Sequence, residues 1–133
     1  MKIVRYHEHP YRKTGGKDNA VKMNCYFIIT TYIEPENRGM YEEYIRQVKP
    51  IVEQFGGRYL VRTEDLVCLS EEWKPDRMIV IEFPSREQLE ACFSSEQYQN
   101  IKQKRENSVR SMAVIAQGVD ENEAVRRNTS DQN

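Results

Sequence analysis

Arg58 and Arg62 stand four residues apart in a stretch rich in aromatic and β-branched side chains. On an extended strand, residues separated by an even number point to the same face, so the spacing expects both guanidinium groups on one side of a sheet. Glu82, with Tyr26 and Tyr32, is expected on that same side. An arginine enclosed there needs a partner, which a ligand carboxylate or Glu82 could supply. The chemistry this suggests is recognition of a small organic acid. Arg62 would clamp the carboxylate, Glu82 would move a proton, and Arg58 and tyrosine hydroxyls would orient the ligand. The plainer reading of the same residues is a structural Arg–Glu pair that fixes an interface.

Other side chains could complete such a site. Tyr41 and Tyr44 fall at helical spacing and could reach a pocket rim, although tyrosines so spaced are more often core with a wet hydroxyl. Trp73 could close a pocket as a lid, or pack on Pro75 or a partner surface. Tyr98 and Arg105 lie on one later helix and could support the site or simply pack. His7, Glu8 and His9 suggest a metal site, but no third ligand is near and the His-Glu-x-x-His spacing is absent, so no metal is expected. Lys102, Lys104, Arg105 and Arg110 form a basic stretch that Glu106 interrupts, which reads as a solvated helix face. There is no Gly-x-Ser-x-Gly elbow and no glycine-rich phosphate loop. The residues imply no cofactor.

Positioning these groups requires a fold. The chain has 133 residues, long enough for one domain. Twenty basic against 21 acidic residues leave a net charge of -1, which argues against broad nucleic-acid binding. Cys25, Cys68 and Cys92 show no metal-ligand spacing, and reduced thiols in a cytoplasm are the simplest reading. The apolar runs are far below the ~20 residues of a membrane span. The polar N-terminus lacks a signal-peptide core. A soluble, cytoplasmic protein is expected, with no membrane partner.

Composition divides the chain into three zones. Residues 1–23 are a polar extension, with a short strand conceivable around residues 3–6. Residues 120–133 carry one aliphatic side chain beyond alanine, Val125, and are expected to be disordered because they can bury too little apolar surface. The domain is residues 24–119. Within it, Cys25–Ile33 reads as a strand. Tyr41, Tyr44, Ile45, Val48, Ile51, Val52 and Phe55 recur at helical steps, and Gly56 and Gly57 end that helix. Pro50 predicts a kink or broken turn near Gln47. Residues 58–69 read as a second strand, residues 71–76 as a turn and Arg77–Phe83 as a third strand. Ser85 with Gln88, and Ser94 with Gln97, have capping-box spacing and open two helical segments. A last strand over residues 111–119 closes a βαββαβ order, the ferredoxin-like arrangement of class α+β with a four-stranded antiparallel sheet.

Both helices cover one face of such a sheet, so the other face should be polar if it meets water. It is not. Tyr26, Ile28, Leu60, Met78, Val80, Met112 and Val114 fall there, an apolar patch larger than monomers usually expose. A second copy of the chain is the natural cover, giving a homodimer.

The residues also carry a resemblance. Tyr41 and Tyr44, the run Gly56-Gly57-Arg58-Tyr59-Leu60-Val61-Arg62, the segment Trp73-Lys74-Pro75-Asp76-Arg77 and the segment Ile81-Glu82-Phe83-Pro84-Ser85 resemble the family called domain of unknown function 1330. Tyr98, Arg105 and Gln117-Gly118-Val119 also fit. The resemblance spans nearly all of residues 24–119 and implies a ferredoxin-like subunit of a dimeric α+β barrel. Members often carry Glu-Gly where this chain has Ser70 and Glu71, so any chemistry resting on that glutamate is lost here. The broader group of dimeric α+β barrels includes cofactor-free oxygenases, an analogy at the level of fold. Three functions therefore compete. The leading one is a homodimeric small-molecule-binding protein, which could be a metal-free enzyme on a small organic acid. The others are a non-catalytic interaction module and a cofactor-free monooxygenase.

Overall fold

A computed structural model describes residues 23–120. The polar N-terminal extension, with His7, Glu8, His9 and the conceivable first strand, and the C-terminal tail lie outside the described residues.

The order of elements is β1 (Cys25–Ile33), a 3-10 turn (Pro35–Asn37), α1 (Arg38–Gln54), β2 (Arg58–Thr63), β3 (Arg77–Phe83), α2 (Arg86–Ser94), α3 (Glu96–Glu106) and β4 (Val109–Gln117). The four strands form one sheet in the order β2-β3-β1-β4, with each neighbouring pair antiparallel. This is the expected ferredoxin-like α+β fold.

Alternation along the strands gives the sheet two unlike faces. Phe27 and Ile29 of β1 and Ile79, Ile81 and Phe83 of β3 are buried on the helix side. They pack with Tyr41, Ile45, Val48 and Val52 of α1 and Leu89, Cys92 and Phe93 of α2. Phe93 ties the layers together. Its ring centroid lies 4.5 Å from that of Phe27 and 4.9 Å from that of Tyr98. The first pair is tilted and the second edge-on, and aromatic contacts of this kind add modestly to the area they bury.

On the opposite face the cross-strand partners are Ile28 with Val80 and Val114, and Thr30 with Met78 and Met112. Leu60, Met112 and Val114 are 45%, 55% and 59% exposed. The apolar second face expected from the sequence is therefore present.

Several boundaries differ from the sequence reading for local reasons. β2 stops at Thr63, well short of residue 69, because the Thr63 hydroxyl accepts a bond from the Asp65 N–H and turns the chain. The segment that follows holds one isolated bridge, Ser70 with Trp73. The cap of α3 is Ser95, whose side chain accepts from the Tyr98 N–H. Ser94 remains in α2 and donates to the Glu90 carbonyl. β4 begins at Val109, two residues earlier than expected.

α1 runs unbroken through Pro50, with no kink or lost turn in its helical assignment. Pro50 and Arg46, whose carbonyl loses its helical donor, are both on the exposed side, where water can replace the missing bond. Gly56, at φ 86°, ends α1 as expected. Gly57 allows a close approach, since a Cβ there would lie 2.5 Å from Val52 Cγ1 and 3.0 Å from Phe83 Cε1.

Candidate functional site

The residues singled out from sequence fall on both faces of the sheet, and the reason is a bulge in β2. Arg58 pairs with Glu82 and Tyr59 with Ile81, but the register then shifts, so that Val61 meets Val80 and Arg62 meets Ile79. An extra residue in one strand reverses the faces beyond it. Arg58 consequently lies on the open face with Glu82, while Arg62 lies on the helix side beside Ile79. The expectation that Arg58 and Arg62 share a face is corrected by this shift.

On the open face a compact polar cluster surrounds Glu82. Arg58 donates from Nη2 at 2.9 Å and Nε at 3.3 Å to Oε1, and Tyr26 at 2.8 Å and Asn24 at 3.0 Å donate to Oε2. These bonds, from Arg58 first and Tyr26 next, hold the Glu82 carboxyl below its ordinary range. The same bond raises the Tyr26 phenol. A carboxylate so supplied with donors is a weaker base than a free one. Tyr32 lies further along this face of β1, with the Arg110 guanidinium 4.2 Å from its ring centroid.

The helix side holds a small cavity of about 30 Å³ between the sheet and α1. Its walls are apolar, including Phe27, Ile29, Ile79 and Ile81 from the sheet and Ile45, Val48 and Val52 from α1. Its polar edges are Tyr41, Tyr44, Tyr59 and Arg105. Three of these tyrosines each carry a guanidinium: Arg62 lies 5.1 Å from the Tyr59 centroid, Arg77 5.6 Å from that of Tyr41 and Arg105 5.9 Å from that of Tyr44. Such contacts are attractive because the ring face is electron-rich.

Inside the helical layer the Tyr44 and Tyr98 hydroxyls are 3.0 Å apart, and Arg105 Nε donates to the Tyr98 hydroxyl at 3.3 Å. Arg105 is 2% exposed, so its charge depends on acceptors within the fold. Burial raises the phenols of Tyr41, Tyr44 and Tyr59 above the ordinary tyrosine value. They are neutral hydrogen-bonding groups near neutral pH. Burial also pushes the Cys92 thiol up to about 12, which removes it as a thiolate nucleophile.

The structure thus brings Tyr44 and Arg105 to the cavity, sets the exposed Arg62 over the ring of Tyr59, and places Arg58, Glu82 and Tyr32 on the far side of the sheet. Trp73 is 46% exposed in the loop between β2 and β3. Tyr59, which had no part in the sequence-based site, lines the cavity, and Arg77, equally absent from that site, stacks on the lining residue Tyr41. The signal for Arg77 was its alternation with Ile79, Ile81 and Phe83, which puts an arginine in line with core residues. Among the described residues no group of three or more His, Cys, Asp or Glu could hold a metal ion. No helix among them is long and apolar enough to cross a membrane.

Similar structures share the fold. A protein of unknown function from Rhodopseudomonas palustris, RPA0582, matches at a TM-score of 0.64 and 14% identity, covering 86% of this chain and 96% of its own. A putative antibiotic biosynthesis monooxygenase from Caulobacter crescentus CB15 matches at 0.58 and 10% identity, covering 84% and 100%. SnoaB, a cofactor-independent oxygenase from Streptomyces nogalater, matches at 0.54 and 6% identity, covering 73% and 94%. Identities this low speak to fold alone. No curated protein matches the chain. A family model for a domain of unknown function, DUF1330, matches residues 24–119, and the chain belongs to that family.

Proposed function

We propose that this protein is a homodimer that binds a small organic molecule between the sheet and the helices, its open sheet face closed by a second copy. The observation that carries the binding role is the set of three arginine–tyrosine stacks, Arg62 on Tyr59, Arg77 on Tyr41 and Arg105 on Tyr44, around one apolar cavity. Apolar walls with a few convergent polar groups are the usual composition of a ligand site. At about 30 Å³ the cavity has room for little more than a water molecule or two. A ligand therefore enters by displacing a wall. Tyr59 is the natural gate, being half-buried on the edge strand β2 beside the bulge.

The support for dimerisation is the exposed row of Leu60, Met112 and Val114 on the open face, an apolar patch that a two-fold partner would cover. The Glu82 cluster lies on that same face, where Arg58 and Glu82 satisfy each other. This favours a structural role for the pair, as a non-catalytic interaction module would also require.

The oxygenase reading draws on SnoaB, a cofactor-independent oxygenase of the same fold. It would need the cavity to open far enough for an aromatic substrate.

A thermal-shift screen with short carboxylic acids tests the binding role. The wild type should gain several degrees in a dose-dependent way. Val48→Ile, which adds a methylene to the cavity wall, should respond less. A wild type indifferent to every acid would contradict the reading.

A further inference from the structure

The chain between β2 and β3 carries apolar side chains that its own fold does not cover. Val67 is 85% exposed and Leu69 94%, and Cys68 between them is exposed as well. The segment is nonetheless tied down. At its root the Asp65 N–H donates to the Thr63 hydroxyl, and at its tip Ser70 bridges to Trp73. On its return Pro75 is buried, the Asp76 N–H donates to the Thr31 carbonyl, and the Asp76 carboxylate accepts from the Ile33 N–H. Connections as long as residues 64–76 without regular structure are uncommon in compact domains and are usually functional.

The loop is also acidic. Glu64, Asp65, Glu71 and Glu72 all precede its first cation, Lys74. Glu64 is held by Arg38, and Glu71 lies 3.5 Å from Lys74. Glu72 has no cation within 4 Å among the described residues. Arg110 is its counterpart. It is exposed near the start of β4, lies over the Tyr32 ring on the open face, and has no carboxylate within 4 Å among the described residues.

Strand register fixes where these two charges stand. Tyr32 pairs with Arg110, Thr31 with Arg77 and Thr63 with Met78, so Arg110 and the root of the loop share one end of the sheet. They lie toward opposite edges of it. A two-fold axis between two such sheets, running along the strands, keeps the ends together and exchanges the edges. The loop beside β2 of one copy then meets Arg110 on β4 of the other, twice per dimer. An axis across the strands would set Arg110 against the far end of the other β4, a strand with no acidic residue.

The sheet face alone is also too small. Strands of nine, six, seven and nine residues turn about half of their side chains to the open face, about 15 in all. A standard interface engages roughly 20–30 residues a side. The exposed loop supplies the difference.

We propose that the loop over residues 64–76 is an arm that clasps a second copy of this chain, with Val67 and Leu69 against the margin of its open face and Glu72 paired with its Arg110. The proposal rests on the sheet-face dimer and specifies how the two copies are aligned.

Sedimentation velocity of the full chain over a micromolar dilution series tests this. Glu72→Arg and Arg110→Glu should each weaken self-association by about tenfold or more, because each places like charges together twice. Glu72→Arg combined with Arg110→Glu restores opposite charges and should return to within about threefold of the wild type. The Cys68 thiol gives an independent reading, since Cys25 and Cys92 are buried. Its labelling by a maleimide should slow as the protein concentration rises through the dimer dissociation constant. Single variants that associate like the wild type would overturn the proposal, as would a double variant weaker than either single one. Labelling of Cys68 that ignores concentration while the dimer forms would also overturn it, leaving the loop to a different partner. All three results leave the sheet-face dimer standing, which Met112→Lys checks separately. A wild type that stays monomeric removes that dimer and the proposal together.

Discussion

Arg58 and Arg62, four residues apart on β2, lie on opposite faces of the sheet. The bulge between Tyr59 and Val61 separates them, joining Arg58 to the Glu82 cluster and setting Arg62 over the ring of Tyr59, which lines the cavity. The two arginines should therefore respond to different measurements. Arg58→Ala should alter acid stability, and Arg62→Ala should alter ligand response at neutral pH. Chemical denaturation across pH, paired with thermal shift, separates the two effects.

Glu82 should contribute to an acid-sensitive step in stability. Its carboxyl is lowered by bonds from Arg58 and Tyr26. The folded state therefore releases the proton more readily than the unfolded chain, whose glutamates titrate near about 4.3. The stabilisation is fully present above that value and is lost as pH falls through the lower folded value. Glu82→Gln should flatten this part of the profile and leave its shape above pH ~6 unchanged. Glu64, lowered by Arg38, titrates in the same direction, so some acid dependence should remain in the variant.

Tyr98→Phe should cost more than Tyr44→Phe. Losing the Tyr44 hydroxyl removes one phenol–phenol bond, about 1 kcal/mol. Losing the Tyr98 hydroxyl removes that bond and an acceptor of the buried Arg105, about 1–3 kcal/mol in all. Urea denaturation of the two variants gives the comparison, and equal midpoints would contradict the hydroxyl chain.

Gly57→Ala should destabilise by about 1–3 kcal/mol, because the new methyl meets Val52 Cγ1, the Val52 carbonyl and Phe83. Gly56→Ala should cost about 1–2 kcal/mol, chiefly for the left-handed backbone at φ 86°, with Pro84 Cγ also only 3.0 Å from the new methyl. Gly56→Asn should recover part of the loss, since asparagine tolerates that conformation, while Gly57→Asn should not.

The proposed dimer makes its own demand. Met112→Lys and Val114→Lys place charges in the middle of the exposed apolar row without touching the core. Each should weaken self-association by about tenfold or more, read by sedimentation velocity at micromolar concentration. A wild type that sediments as a monomer would contradict the dimer directly.

Much of the fold was legible because it rests on short-range pattern. The alternation of Arg77–Phe83 and the three- and four-residue steps of Tyr41, Tyr44, Ile45 and Val48 each fix a buried face, and both were read correctly. The candidate site was legible only in part. Nothing within the run from Arg58 to Arg62 announces a bulge, since it contains no glycine and its consecutive Tyr59, Leu60 and Val61 fix no face by alternation. The bulge is set by pairing with β3, a contact distant in sequence. Ser94 and Ser95 both suit a helix cap, and the choice depended on where α2 could close its last turn against the Glu90 carbonyl. Arg77 carried a readable signal, an arginine in phase with core residues. Its partners emerge only in the folded chain, where Glu42 and Glu64 lie 3.6 Å and 3.9 Å from its Nη1.

The central claim is that ligands bind on the helix side of the sheet. Methyl-resolved NMR during titration with butyrate tests it most directly. The account predicts dose-dependent shifts at Ile29, Ile45 and Ile79, which line the cavity, with Ile28, Met112 and Val114 on the open face unmoved. Shifts confined to the open-face methyl groups, or none at either face at saturating acid, would contradict it.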